Sequence, residues 1–380
     1  MTDFRLTDEQ RAIKETARKF AEKELAPTAA QRDEEEVFDR EIFSKIARMG
    51  FAGLLLPACR GEGGISYTNF VIIEEELARC CCASAVCLFP HMVIQTCIYR
   101  WGTREHKDKY LEGLGNGALL GAFAMTEPHA GSDVASLRTR ALREGDTYVL
   151  NGTKCFCTNG GEADLYLVMA KTDPHGGHKG ISAFLVEKGT KGFSFGKKEK
   201  KMGIRSNPTR ELIFEDCRIP AAQLLGREGE GFKIAMISMD EARLFSAATS
   251  VGLGQATLEH AINYSKERVQ FGQAIANFQG LQFMMAEMAA DLEAARLLTW
   301  YAADLMDRED KLATRYTAMA KFFASDMAMR ITTQGVQIFG GYGYMRDYPM
   351  ERYMRDAKIG QIFDGTNEIQ KIVVARSLLR

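Results

Sequence analysis

Apolar residues fall at helical spacing through the first third of the chain, alternate with polar ones through the middle, and return to helical spacing towards the end. A cap at Thr7 or Asp8 opens a first helical run carried by Ile13, Ala17, Phe20 and Ala21 to Leu25, where Pro27 is expected to stop it. A second helix fits 39–49. Gly50, Gly53, Pro57, Gly61, Gly63 and Gly64 mark turns, and helical spacing resumes over 67–80 with Glu74, Glu75 and Glu76 expected on a solvated face. Residues 83–101 are apolar and read as a buried helix that begins at or near Pro90.

Between 123 and 227 the pattern shifts to segments rich in β-branched and aromatic residues, at 119–125, 147–150, 165–170, 181–186 and 212–214. Turns at Gly145-Asp146, Gly176-Gly177 and Lys188-Gly189 punctuate them. The basic run Lys197-Lys198-Glu199-Lys200-Lys201 reads as loop or edge charge, with a place beside nucleotide phosphates as the alternative. After Gly226, Gly229 and Gly231, long helical patterns cover 232–268, 279–307, 312–337 and 368–379. The fold class is therefore α+β: an N-terminal helical domain over 1–122, a middle antiparallel β-domain of barrel or sandwich form over 123–227, and a C-terminal four-helix bundle over 228–380.

Composition adds bounds. At 380 residues, 46% hydrophobic and 26% charged, the chain can bury more than one core. A net charge of -1 gives no long-range pull towards nucleic acid. No apolar run is expected to approach the roughly 20 residues that span a bilayer, the start is polar, and a cytoplasmic setting follows. The nine cysteines lack zinc spacing and are odd in number, so they read as reduced apolar fillers, and no metal is expected.

The chemistry concentrates in Gln361-Ile362-Phe363-Asp364-Gly365-Thr366-Asn367-Glu368-Ile369-Gln370. Apolar Ile362 and Phe363 precede Asp364, Gly365 permits a tight turn, and Thr366 and Asn367 can cap a helix whose apolar stripe is Ile369, Ile372 and Val373. A carboxylate so framed is desolvated, its pKa rises, and it can accept a proton. The plain alternative is that Asp364 itself caps the helix. No G-x-G-x-x-G follows a strand, so a Rossmann site is not expected.

Two long motifs stand out: Ala124-Met125-Thr126-Glu127-Pro128-His129-Ala130-Gly131-Ser132-Asp133-Val134-Ala135-Ser136, and Gln337-Ile338-Phe339-Gly340-Gly341-Tyr342-Gly343-Tyr344 continuing through Asp347 and Arg352 to Asp356. With Leu6-Thr7-Asp8-Glu9-Gln10, Asn151-Gly152-Thr153-Lys154 through Thr158-Asn159-Gly160-Gly161, and Arg268-Val269-Gln270-Phe271-Gly272, the chain resembles the acyl-CoA dehydrogenase family along essentially its whole length. The resemblance implies an FAD enzyme that desaturates acyl-CoA thioesters, with helix, β, helix order, a homotetramer, and an electron-transferring flavoprotein as acceptor. It places the catalytic base at Asp364, where the family usually holds a glutamate. FAD would lie against Phe123, Met125, Thr126, Gly131, Ser132, Phe156 and Thr158. Arg268, Phe271, Gln337 and Gly341 would reach the cofactor of a neighbouring subunit, and Thr366 and Glu368 complete the set.

For the substrate, the resemblance points to Ser132, Asp240 and Arg243, with Phe363 and Gly365 beside the base. Asp240 and Arg243 have surface charge as their alternative reading. His91 has two readings, a structural histidine bonded to backbone or a substrate contact. Some family members carry the base one residue before the arginine, here Ala242; neighbouring Glu241 is rotated about 100° away on a helix and should miss the site. Asp for Glu withdraws the carboxylate and leaves room at Cα, which favours a short branched or alicyclic acyl-CoA. A lyase, a thioester-binding flavoprotein or an oxidase are the alternatives.

Overall fold

Thr7 opens the first helix in the computed structural model, which describes residues 5–53, 55 and 65–379; the turns expected at Pro57, Gly61, Gly63 and Gly64 lie outside the described residues. The Thr7 hydroxyl accepts from the Gln10 N–H while the Gln10 side chain accepts from the Thr7 N–H, a reciprocal cap. Helix α1 (Asp8–Phe20) does not stop at Pro27. A π turn over Ala21–Leu25 leads straight into α2 (Ala26–Glu34), and Pro27 falls in the first turn of that new segment, where a missing N–H breaks no helical bond.

Asp39 caps α3 (Arg40–Arg48) and Ser66 caps α4 (Tyr67–Cys80) through side-chain oxygens that accept backbone N–H groups. Next come α5 (Cys82–Val86), α6 (Leu88–Trp101) with Pro90 in its first turn, and α7 (Arg104–Gly115). Contrary to expectation, Cys82–Trp101 is long and apolar enough to cross a bilayer by length and composition, but nearly all of it is buried within the protein. The eight cysteines among the described residues are free and buried.

The middle region holds β1 (Gly121–Ala124), β2 (Arg140–Glu144), β3 (Thr147–Thr158), β4 (Leu165–Lys171), β5 (Ile181–Glu187), β6 (Phe193–Lys198), β7 (Thr209–Pro220) and β8 (Leu224–Leu225). They form one sheet in the order β6-β7-β3-β2-β4-β5-β8, with β1 beside β4. The sheet is mixed rather than wholly antiparallel, because β4 pairs in parallel with β1 and, at Lys171, with Arg140 of β2. The basic run sits on the edge strand β6 and just beyond it; Lys197 and Lys200 are exposed, while Lys201 turns in to donate to Asn207 O and Thr209 Oγ1.

The C-terminal region begins with α8 (Gly231–Glu267), followed by a small hairpin of β9 (Val269–Gln270) and β10 (Gln273–Ala274). Then come α9 (Gln279–Asp307), α10 (Ala313–Phe339), α11 (Met350–Lys358) and α12 (Asn367–Leu378). Helix α10 packs against α8, α9, α11 and α12. Helix α8 also packs against α4, so closely at Gly252 that an added Cβ would lie 2.4 Å from Glu75 O. The expected apolar stripe of α12 is not covered by the chain's own core: Ile372 is exposed, and the buried positions are Asn367 and Gln370.

Glu74, Glu75 and Glu76 are buried, which corrects the solvated-face expectation. The cause is a set of partners from distant segments. Arg296 of α9 reaches Glu75 at 2.8 Å, while Arg18 of α1 and Arg79 reach Glu76 at 3.0 and 3.1 Å. Among the described residues Glu74 accepts a hydrogen bond from the Thr249 hydroxyl at 3.3 Å, and burial pushes its carboxyl well above the ordinary range.

Candidate active site

Ile362 and Phe363 both donate their N–H groups to Ile359 O, after which Asp364 and Gly365 adopt left-handed backbone, φ 55° and 84°. Thr366 then caps α12, its hydroxyl accepting from the Ile369 N–H at 3.4 Å. The capping role therefore belongs to Thr366 and not to Asp364. A left-handed aspartate is held against a cost of about 1–3 kcal/mol, so the surroundings must fix it. Gln370 Nε2 donates to Asp364 O and Gly365 O at 3.0 and 2.8 Å, and Lys321 Nζ donates to Gly365 O at 2.8 Å.

Asp364 is half-buried, but its Oδ2 is enclosed and has no hydrogen-bond partner among the described residues. Burial pushes the carboxyl up while Lys321 and Arg243 pull it down. An enclosed, unpartnered carboxylate oxygen with cations nearby is an acceptor waiting for a donor. On one flank Phe363 meets Phe89 with ring centroids 5.9 Å apart, and Phe89 meets Phe245 at 5.8 Å. These rings form an apolar wall beside the carboxylate.

Helix α8 brings Arg243 to this turn. Arg243 is buried, Nη1 donates to Asp240 Oδ1 at 2.7 Å, and Nε is enclosed without a partner. Asp240 Oδ2 accepts from the Thr314 hydroxyl at 2.6 Å. The surface-charge reading of this pair therefore fails. Glu241, one residue along, points elsewhere: Oε1 accepts from the Tyr67 hydroxyl, and Arg100 stands 3.9 Å away.

A second group of residues lies at the ends of β1 and β3. Phe123 is half-buried on β1, and Met125 O accepts from Lys154 Nζ at 3.2 Å, while Thr126 O accepts from the Cys155 N–H at 2.9 Å. The β3–β7 register is broken between Lys154 and Cys157, and at this bulge Phe156 has φ 56° and is 67% exposed. Thr158 ends the strand, and Gly131-Ser132 forms an exposed loop in which an added Cβ would meet nothing.

A third group sits past the end of α8. Arg268 caps the helix, with its guanidinium 5.4 Å from the Tyr342 ring centre, and with Gly341 it lines an open groove of about 510 Å³. Gln337 O accepts from the Gly340 N–H at the end of α10. Phe271, at the tip of the β9–β10 hairpin, is 94% exposed with φ 53°. Glu368 is exposed in the first turn of α12.

These donor types fit FAD. A bulged, outward-facing phenylalanine offers a flat apolar surface, Arg268 suits a phosphate, and Gly131, Gly340 and Gly341 leave open space for close backbone approach.

His91 occupies a buried place on α6. Its Nδ1 accepts from the Gly121 N–H at 3.1 Å, its ring meets Phe43 edge-on, and burial pushes its pKa down to about 4. Three residues were missed from the sequence. Lys321 braces the Asp364 turn, and its signal was a lone lysine within an otherwise apolar run. Glu127 and Lys154 form a buried pair at 2.7 Å that ties the first long motif to β3, and Glu127 also accepts from the Arg138 and Thr139 N–H groups.

Three family models match the chain: acyl-CoA dehydrogenase N-terminal domain over 7–118, middle domain over 122–217, and C-terminal domain over 229–379. Acryloyl-CoA reductase (NADH) of Anaerotignum propionicum is 49% identical over 380 residues, covering 100% of this chain and 96% of the relative. Cyclohex-1-ene-1-carbonyl-CoA dehydrogenase of Geobacter metallireducens is 46% identical over 375 residues, covering 98% and 99%. A solved structure reported for the electron transferring flavoprotein of Acidaminococcus fermentans is similar with a TM-score of 0.96, 49% identity and 100% coverage of both chains.

Proposed function

The chain belongs to the acyl-CoA dehydrogenase family of FAD-dependent oxidoreductases, and on that footing we propose that Asp364 removes the Cα proton of a short branched or alicyclic acyl-CoA as the Cβ hydride leaves. The observation that carries this is the enclosed, unpartnered Oδ2 of Asp364, held on a left-handed turn beside Arg243.

Phe156 and Thr126, with Arg268 and Gly341 of a neighbouring copy, would hold FAD, which when bound would supply the oxidant for the two-electron step. The protein's own work lies elsewhere. Asp364 accepts the proton, and its main-chain N–H is offered to the thioester oxygen, where charge develops as the proton leaves. Burial raises the Asp364 carboxyl to about 7, and Lys321 and Arg243, the latter fixed by Asp240, draw it back towards the ionised form. The Phe89 and Phe363 rings exclude water from the acyl group.

Asp is one methylene shorter than the family's usual glutamate, which supports a substrate bulky at Cα. The similarity to a cyclohex-1-ene-1-carbonyl-CoA dehydrogenase and to a reductase of three-carbon acryloyl-CoA supports a compact acyl group. The latter also favours a second reading, reduction of an enoyl-CoA, in which the same Asp364 returns the proton to Cα. A homotetramer and electron exchange with an electron-transferring flavoprotein complete the proposal; the exposed Phe271, Ile372 and Leu379 side chains support contact between copies.

The test is anaerobic flavin bleaching with linear, branched and cyclic acyl-CoAs. Asp364→Asn is expected to keep FAD and bind acyl-CoA but to lose about 10²- to 10⁴-fold in bleaching rate. Asp364→Glu is expected to turn preference towards linear chains. Full bleaching in Asp364→Asn overturns the base. A wild-type enzyme fastest with butyryl-CoA overturns the steric argument, and rapid reoxidation by oxygen with peroxide release makes the protein an oxidase.

A further inference from the structure

Lys321 stands mid-way along α10 in the run Ala318-Met319-Ala320-Lys321-Phe322-Phe323-Ala324, and it is fully buried. A buried ammonium is costly unless its protons find acceptors. Two are Gly365 O at 2.8 Å and Asn367 Oδ1 at 3.0 Å. Gly365 O also receives Gln370 Nε2, and Asn367 is tied further by Ser325 Oγ at 3.1 Å and by its own donation to Asp326 Oδ1 at 2.8 Å. The lysine thus grips the chain on both sides of Thr366, immediately after the left-handed aspartate.

We propose that Lys321 is a positioning residue for the proton-accepting carboxylate: it pins the turn at Gly365 and places a positive charge beside Asp364 that favours its ionised form. This rests on the reading of Asp364 as the base. The other charged groups facing the pair are Arg243 from α8, Asp326 on α10 and Glu368 from α12. Arg243 is bonded to Asp240, whereas Lys321 is bonded to the turn itself. Burial pulls the Lys321 pKa down to about 8, with Asp364 and Asp326 pulling it back up.

The test uses the holoenzyme in single-turnover anaerobic bleaching at saturating acyl-CoA, followed against pH, with acyl-CoA dissociation constants measured in parallel. Lys321→Gln keeps a donor for Gly365 O but removes the charge. Loss of a cation raises the carboxyl pKa, so the rising limb of the rate is expected to move up by about one pH unit or more. Bleaching at neutral pH then falls by about tenfold and recovers as pH is raised, while affinity stays within about threefold. Lys321→Met, lacking donor and charge, is expected to be slower at every pH. An unmoved limb in Lys321→Gln overturns the proposal. Should that variant lose FAD or its fold, Lys321→Arg replaces it, with the limb expected in place on a lower plateau; a limb displaced upward there overturns the proposal. Asp364→Asn, run alongside, separates the two readings: activity in it removes the base assignment, whereas inactivity with an unmoved limb in Lys321→Gln removes only the role of Lys321.

Discussion

The Tyr67 hydroxyl donates to Glu241 Oε1 across 2.6 Å, and Arg100 Nη2 donates to the same hydroxyl oxygen at 3.1 Å. Glu241 is thereby anchored between α4 and α6, away from Asp364, although it neighbours Asp240 on α8. Burial pushes its carboxyl up to about 7, with Arg100 and Tyr67 pulling it down. Tyr67→Phe is expected to lower stability by about 1–3 kcal/mol, because a buried carboxylate loses a donor. The loss should be larger above pH 7, where Glu241 is ionised, than below its ordinary carboxylate range. Urea unfolding at two pH values checks this. Glu241→Gln should leave bleaching by acyl-CoA within about threefold of wild type, since that carboxylate takes no proton from substrate.

Glu74 gives a pH-dependent stability with a defined sign. Its folded pKa is raised by burial, so the stability it contributes is complete below the ordinary carboxylate range and is lost as pH rises through the folded value. Glu74→Gln, which fixes a neutral side chain facing Thr249, is expected to raise the melting temperature at pH 8 and to have little effect at pH 4. Equal effects at both would show that the acid is paired in a way its position on α4 does not reveal.

Arg268 is expected to hold a phosphate of FAD. Loss of one charge-assisted bond is worth about 1.5–3 kcal/mol, so Arg268→Ala should weaken FAD retention by about ten- to a hundredfold. Flavin content after dialysis at matched protein concentration is the measure. Unchanged retention removes the phosphate assignment and leaves Asp364 untouched.

Phe89 joins two of its neighbours into a wall, at 5.9 Å from Phe363 and 5.8 Å from Phe245, and Phe70 backs Phe245 at 4.7 Å. Phe89→Val is expected to open depth beside the base, raising kcat/KM for longer acyl chains relative to short ones by about tenfold. A chain-length profile that does not move places the acyl group on another side of Asp364.

The long helices were legible because their spacing and their punctuation agree. Residues 279–307 read from sequence coincide with α9, and the cap expected at Thr7 or Asp8 is Thr7. β2 and β6 were not legible: Arg140–Glu144 carries charge at three of five positions and exposes Leu142, so no alternation marks it. α11 was hidden inside a motif read for chemistry. Pro27 misled because a π turn reset the helix ahead of it, and the glutamates of α4 misled because their partners lie far along the chain. At the candidate site, the neighbours Phe363 and Gly365 marked Asp364 for attention but left a helix cap as the alternative, which Thr366 fills instead. Lys321 was not legible, since its meaning depends on a turn more than 40 residues later that sequence spacing does not bring near.

Glu75 and Arg296 meet although 221 residues separate them. A fragment ending with the first helices would carry Glu75 into a fold that lacks its guanidinium, and removing one partner of a buried pair costs about 3–5 kcal/mol. Glu74 would likewise lose the Thr249 hydroxyl, and Gly252 would no longer admit the backbone of α4. The helical segment that comes early in synthesis is therefore incomplete until the last third of the chain has been made. Its folding waits on the C-terminal helices, and melting followed at Trp101 and at the flavin should coincide in a single cooperative transition, so an exchange of domains with a relative preserves stability only when α4 travels together with α8 and α9.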